Sequence, residues 1–260
     1  MALLVIDSAA CIGCGACVDV CPVGALALVD DLARVDDRCT ACGACLAECP
    51  AEALSLPERA AGPGQQPPED HTGVWVWVEQ FRGRAASIAW EMMGQGRRLA
   101  EARGTELVAC VLGHGVADLA SQAIAYGADR VLLADHPALA HYRTELYARV
   151  LVDLARAHRP EIMLLGASSR GRDLAGSVAT ALHTGLTADC TGLEIDAESG
   201  LLKQTRPAYG GNIMATILTP HHRPQMATVR HQVFEAPTPD PLRQGRILAV
   251  APELDESAVA

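Results

Sequence analysis

The run CIGCGACVDVCP at residues 11–22 decides how the chain begins to fold, and it occurs twice. Cys11, Cys14, Cys17, Cys21 and Pro22 return 28 residues later as Cys39, Cys42, Cys45, Cys49 and Pro50. The short apolar segments that follow each run, ALAL at 25–28 and ALSL at 53–56, keep the same offset. Such a duplication means two copies of one supersecondary unit, facing each other about a local twofold so that each covers the other's apolar side. Eight of the ten cysteines lie between Cys11 and Cys49. In a chain expected to stay in the cytoplasm, where thiols are kept reduced, that density indicates metal ligation or redox chemistry and not a disulfide framework.

The spacing Cys-x2-Cys-x2-Cys-x3-Cys-Pro is the bacterial iron–sulfur spacing. Three thiolates two residues apart wrap one face of a [4Fe–4S] cube, whose iron corners need soft sulfur ligands, and the fourth ligand must come from elsewhere. The head, residues 1–57, resembles a bacterial-type two-cluster ferredoxin, and in such proteins the fourth cysteine of each run serves the other cluster. On that pattern Cys11, Cys14, Cys17 and Cys49 hold one cluster, and Cys39, Cys42, Cys45 and Cys21 hold the second. Gly13, Gly15, Gly43 and Ala16, Ala41, Ala44 keep the intervening positions small, so that backbone amides can reach cluster sulfides and tune the potential. Eight thiols with a third regular thiolate in each loop and a trailing Cys-Pro do not make a zinc-finger spacing. Two clusters in one small duplicated module favour a relay for electrons over a structural scaffold.

Composition narrows the rest. Half the residues are apolar, as in a globular chain, and no apolar stretch approaches the ~20 residues needed to cross a bilayer. The start, MALLVIDSAAC, lacks a basic leader and a cleavage site, so no secretory signal is expected and the location is read as cytoplasmic. A net charge of −10 without a basic tract argues against nucleic acid as a partner. The head carries eight acidic residues, Asp7, Asp19, Asp30, Asp31, Asp36, Asp37, Glu48 and Glu52, against Arg34 and Arg38. This imbalance implies a basic docking surface on a redox partner and salt-sensitive association.

A polar stretch with GPGQQPPED at 62–70 reads as a linker, assigned to 58–73. Beyond it come short apolar runs at 74–78, 107–112, 131–134 and 162–165, which suit strands covered on both faces. Helical spacing separates them: Ile88, Met92 and Leu99; Val116, Leu119, Ala120, Ala123 and Ile124; Tyr147, Val150, Leu151 and Leu154. A fourth helix is predicted over 172–183, with Leu174, Val178, Ala181 and Leu182 on one face. This alternation is that of right-handed βαβ crossovers. After Gly185 the pattern changes to alternating strands near 189–195, 201–206, 212–218 and 226–230, read as an antiparallel extension of the parallel sheet. The stretch GASSRGRDLA at 166–175 follows a strand and opens a helix, so its amides could hold an anion, although it lacks a Walker lysine and the GxGxxG pattern. Cys110 and Cys190 have no second ligand at metal spacing and read as small core residues. His114 and the pair His221-His222 read as ordinary turn residues.

The succession GASSRGRDLAGSVATAL (166–182), HTGLTADCTGLEID (183–196), LLKQTRPAYGGNIMATI (201–217) and RPQMATVRHQVF (223–234) resembles the N-terminal domain of the electron-transferring flavoprotein alpha subunit. VWVWVEQ (74–80) and SIAWEMMGQGRRLAE (87–101) fit that family too. Departures are Ala175-Gly176, where many relatives carry Ala-Pro-Arg, and His231, where proline often follows. The resemblance spans 74–234 and implies an α/β fold: a small α+β two-cluster ferredoxin domain, then a doubly wound, mostly parallel Rossmann-like three-layer sheet with an antiparallel extension. It implies an alpha subunit that passes electrons between its clusters and flavin in a heterodimer with a beta subunit. The beta subunit would hold AMP or a second FAD, and the redox partner would be an acyl-CoA dehydrogenase or another oxidoreductase. In the family the FAD sits mainly on a C-terminal domain and the beta subunit. Residues 235–260, ending RILAVAPELDESAVA, would begin the connection to that domain, so no flavin-contacting and no catalytic residue is assigned. The alternative is a ferredoxin-like subunit whose α/β domain binds an adenine nucleotide in a regulatory role.

Overall fold

A computed structural model describes residues 4–36, 38–39, 42–56, 70–208, 211 and 213–254. The chain divides into two compact units, residues 1–65 and 66–260.

In the first unit, β1 (Val5–Ile6) precedes the first cysteine run, and a single helical turn, α1 (Ala16–Asp19), lies within it. Strands β2 (Leu26–Val29) and β3 (Leu32–Val35) form a hairpin, and β4 (Leu54–Ser55) returns to pair antiparallel with β1. The repeat is visible in this pairing. The two interior strands of the duplication, β2 and β3, close on each other, as do its two outer ones, β1 and β4. Asp30 and Asp31 both take positive φ, 52° and 58°, as a two-residue turn with the twist of its flanking strands requires. Gly13 packs against that turn. A Cβ on it would lie 2.4 Å from the Asp31 carbonyl oxygen, so the loop needs glycine there. Leu4, Leu26, Ala33 and Leu54 make a small core together with Cys17 and Cys45.

The second unit opens on β5 (Val74–Trp77), followed by a small hairpin of β6 (Gln80–Phe81) and β7 (Arg84–Ala85), then α2 (Ser87–Arg103) and β8 (Leu107–Gly113). Next come α3 (Ala117–Ala125), β9 (Arg130–Asp135), α4 (Thr144–His158), β10 (Ile162–Gly166) and α5 (Ser169–Leu182). The last part holds β11 (Leu186–Cys190), β12 (Gly192–Ile195), β13 (Leu202–Ala208), β14 (Ile213–Ile217), β15 (Gln225–Val229) and β16 (Arg246–Ala249). Seven strands form one parallel sheet in the order β11-β15-β10-β5-β8-β9-β16.

Period-two alternation along β5 sends Val74, Val76 and Val78 into one layer with Ile88, Met92 and Leu119, and Trp75 and Trp77 into the other with Leu151, Leu154 and Val178. Both faces are therefore buried, which is why these strands read as continuous apolar runs. Gly171, in the first turn of α5, lies so close to β10 that a Cβ would come within 1.9 Å of the Gly166 oxygen. Cys110 and Cys190 are buried in these layers without a cysteine partner. Among the described residues no helix is long and apolar enough to cross a membrane.

Three expectations need correction. The antiparallel strands β12, β13 and β14 form a sheet of their own instead of extending the parallel one. The segment expected as an antiparallel strand near 226–230 is β15, a parallel strand between β10 and β11 with all five residues buried. Its threonine and glutamine concealed that burial from a hydropathy pattern. The domain boundary at 234 also falls short, since the segment assigned as a tail supplies β16, the seventh strand. It was missed because it is four residues long and exposed throughout. Of the linker, residues 57–69 lie outside the described residues, while Asp70 pairs with Arg159 at 2.9 Å and the Thr72 amide donates to the Arg159 oxygen.

Asp129 ties the late strand to the body. Its carboxylate takes a two-pronged bond from Arg97 on α2 (2.9 and 2.9 Å), one from Arg243 (2.8 Å) and one from the Leu107 amide (2.8 Å), while its carbonyl receives the Arg246 amide. Burial pushes this carboxyl up, but the guanidinium and amide donors outweigh it and hold it below the ordinary range. The stabilisation is therefore present above the unfolded-state value and is lost as pH falls through the folded one. Asp129→Asn is expected to cost about 1–2 kcal/mol near neutral pH, the low end for a charged hydrogen-bond partner because the group is partly exposed, or roughly 2–8 °C in Tm. Thermal melts across pH check this: the gap between wild type and variant should close as pH drops below about 4.

Candidate metal centre

The eight head cysteines do not gather by run. One cavity is lined by Cys11, Cys14 and Cys17 from the first loop and by Cys49 from the end of the second. Another is lined by Cys39, Cys42 and Cys45 with Cys21. The grouping follows from chain geometry. Each Cys-Pro ends its loop just ahead of a strand, and because the strands pair across the repeat, the fourth cysteine is delivered to the neighbour's loop. The remaining walls are apolar and related by the same offset: Leu28, Ala53 and Leu54 in the first cavity, Leu56, Ala25 and Leu26 in the second.

Burial repeats as well. Cys17 and Cys45 are buried, Cys14 and Cys42 are exposed, and Cys11, Cys21, Cys39 and Cys49 are intermediate. Backbone amides of Ala33 and Gly13 hold the Cys11 thiol below its ordinary value, and those of Ala25 and Val23 do the same for Cys21. The Ala25 amide donates to Cys21 Sγ at 3.3 Å, and its repeat equivalent, Ala53, donates to Cys49 Sγ at 3.4 Å. Burial pushes the Cys17 and Cys45 thiols up, and charge on neighbouring thiolates adds to the shift: Cys14, Cys45 and Cys11 act on Cys17, and Cys42, Cys21 and Cys39 act on Cys45. Cys17 and Cys45 pack in the same small core, so the cavities adjoin.

Four mutually repelling sulfurs around an apolar hollow, with amides aimed at them, form a donor set for a cationic, thiophilic group. Among the described residues no three cysteine, histidine or acidic side chains are arranged to hold a single metal ion. One thiolate per corner of a polynuclear cube suits this arrangement better. The histidines singled out in the sequence stay outside any such set. His114 Nδ1 lies 3.6 Å from Asp135, whose carboxylate accepts the Gly115 and Val116 amides ahead of α3, and His221 and His222 are exposed in a turn.

Residues 3–50 match the 4Fe-4S dicluster domain, which puts the head in the class of iron–sulfur proteins. Residues 74–255 match the electron transfer flavoprotein domain, and the chain belongs to that family. It is 45% identical over 190 residues to the electron transfer flavoprotein subunit alpha of Thermoanaerobacterium thermosaccharolyticum, covering 73% of this chain and 57% of that protein. It is 49% identical over 178 residues to Protein FixB of Azorhizobium caulinodans (67% and 48%). It is 43% identical over 184 residues to the acryloyl-CoA reductase electron transfer subunit beta of Anaerotignum propionicum (62% and 50%). The chain thus spans about half the length of these relatives.

The two body cysteines differ from the eight. Burial pushes the Cys190 thiol up to about 12 and raises that of Cys110 further, so both stay neutral and unreactive at ordinary pH. After iron is removed by a chelator, alkylation at pH 8 without denaturant is expected to modify the eight head cysteines and to spare Cys110 and Cys190 until denaturant is added. Mass spectrometry of the intact and digested protein counts the labels.

Proposed function

We propose that the chain is the ferredoxin-bearing alpha-type part of an electron transfer flavoprotein, relaying electrons between two [4Fe–4S] clusters and an FAD bound in the assembled complex. The observation that carries this reading is the pair of adjoining four-cysteine cavities in the same chain as an electron transfer flavoprotein domain. Cys11, Cys14, Cys17 and Cys49 are the ligands of one cluster, and Cys21, Cys39, Cys42 and Cys45 of the other. The ferredoxin unit is residues 1–57, joined through 58–73 to the α/β domain, which runs on through β16. The work of the protein is placement: thiolates fix the clusters, amides on Cys21 and Cys49 stabilise negative sulfur, and the leucine walls exclude water. The clusters supply one-electron chemistry, which matches them to a cofactor that takes electrons singly or in pairs.

The partner is a beta subunit in a heterodimer, with FAD held mainly by that subunit and by a further alpha domain such as the longer relatives have room for. An acyl-CoA dehydrogenase or a similar oxidoreductase exchanges electrons with the complex. The name of the Anaerotignum relative, an electron transfer subunit of an acyl-CoA-level reductase, supports that class. Eight cysteines that must stay reduced to bind clusters support a cytoplasmic location.

Ligand assignment is tested by paired substitutions in anaerobically reconstituted protein, where the wild type should bind about eight irons as two four-iron clusters. Cys11→Ser with Cys49→Ser strikes one cavity and should remove about half the iron. Cys39→Ser with Cys49→Ser strikes both and should remove nearly all of it. The opposite pattern would mean that each run keeps its own fourth cysteine. Flavin content gives a separate check: the chain alone should purify without FAD, and co-expression with a cognate beta subunit and the remaining alpha domain should yield a complex in which reduced clusters bleach the flavin absorbance. A complex whose clusters and flavin never exchange electrons would refute the relay.

A further inference from the structure

A second kind of hollow lies in the body, at the carboxyl ends of the parallel strands. From β5 the chain lays down β8 and β9 in one direction, then returns to place β10 on the other side of β5. Ligands of open α/β sheets bind at such switch points, outside the strand ends. Here the loops after β5, β9 and β10 surround a cavity of about 310 Å³, whose wall includes Phe81, Arg82, His141, Tyr142, Tyr147 and Arg170. The loop after β10 is the GASSRGRDLA stretch that the electron relay leaves without a role.

The lining is unusual for this chain. Acidic residues outnumber basic ones by 31 to 21, yet the wall holds two arginines and a histidine and no carboxylate. Among the described residues neither Arg82 nor Arg170 has an ion-pair partner, and the Asp173 carboxylate on the same helix is taken by Tyr142 Oη at 2.9 Å and by the Thr144 hydroxyl. The Arg170 guanidinium is held in place instead by aromatic faces, 4.8 Å from the Phe81 ring centre and 5.7 Å from that of Tyr142, and Arg82 lies 5.1 Å from the Phe81 ring. Arg170 donates one N–H to the Gln80 oxygen at 3.3 Å, which leaves most of its five-donor fork for an oxyanion. It also stands in the first turn of α5, a 14-residue helix capped by Ser168, where the helix dipole favours negative charge.

Aromatic side chains concentrate at the same place. The chain has only three tryptophans, four tyrosines and two phenylalanines. Trp77, Tyr147 and Tyr142 form a ladder of ring contacts, 6.5 and 5.0 Å between centres, that ends at the cavity wall with Phe81. The space exceeds what a bare phosphate fills and lies at the small end of the range that takes organic ligands.

We propose that this cavity binds a nucleotide, its phosphates on Arg170 and Arg82 and its base along the aromatic wall. The site is separate from the cluster cavities, and its occupancy does not depend on the electron-relay reading. Calorimetric titration of the full, cluster-loaded chain with AMP, ADP and inorganic pyrophosphate tests it. AMP or ADP should saturate one site per chain, with pyrophosphate clearly weaker. Arg170→Ala and Arg82→Ala should each weaken binding about ten- to a hundredfold, the loss expected for one charge-assisted contact, with iron content unchanged. Arg170→Lys, which keeps the charge and loses the fork, should recover only part of the loss. The proposal is overturned if no nucleotide saturates below about 1 mM, the range of weak binding, if both alanine variants bind as the wild type does, or if pyrophosphate binds as tightly as ADP.

Discussion

The exchange of fourth cysteines between the two halves of the head is the constraint on which the rest of the head depends. Because Cys49 lines the first cavity and Cys21 the second, neither half completes a four-sulfur hollow alone. Strand pairing enforces the same interdependence: β1 needs β4 from the other end of the duplication, and β2 needs β3. A head this small has little apolar surface to bury, and on the proposed ligand assignment iron–sulfur bonds across the repeat would supply the cohesion that a larger core would otherwise provide. Metal binding and folding are then one event, as in other small metal domains.

The body needs no such help. Two apolar layers sandwich a seven-stranded sheet, and the close approach of Gly171 to Gly166 shows how tightly α5 is set against the strand that precedes it. That tight seating aims the loop after β10 at the rim. The Ser168 hydroxyl donates to Glu79 at 2.7 Å and accepts the Gly171 amide at 2.9 Å, joining the loops after β5 and β10 through a buried carboxylate. Rim residues such as Arg170 thus stand on a braced foundation, and rigid support of this kind is what a binding site requires.

The cysteine spacing was the most legible part of the chain, because ligation chemistry admits few alternatives and the duplication doubles the signal. The four leading strands were legible for a related reason: their runs at 74–78, 107–112, 131–134 and 162–165 carry no polar residues to confuse the pattern. The later strands were not. In β15 the buried Gln225 satisfies the Leu202 amide at 2.8 Å and the buried Thr228 hydroxyl accepts the Asp189 amide, so polar residues occupy a core strand through tertiary bonds that local sequence does not reveal. The strand β16 escaped notice because its support comes from Asp129, more than a hundred positions earlier. The arginine and aromatic cavity was invisible for the same cause, since Phe81, Tyr142 and Arg170 meet only after three crossovers are folded.

The graded exposure of the head cysteines has one more consequence. Cys17 and Cys45 are sealed inside, and Cys14 and Cys42 face water. On the proposed ligand assignment, a wire built this way is lagged along its middle and barest at two contacts, where current would enter or leave. Bare contacts corrode: dissolved oxygen reaches the same two corners that a docking protein must reach, and the points of entry for electrons are also where the wire wears out.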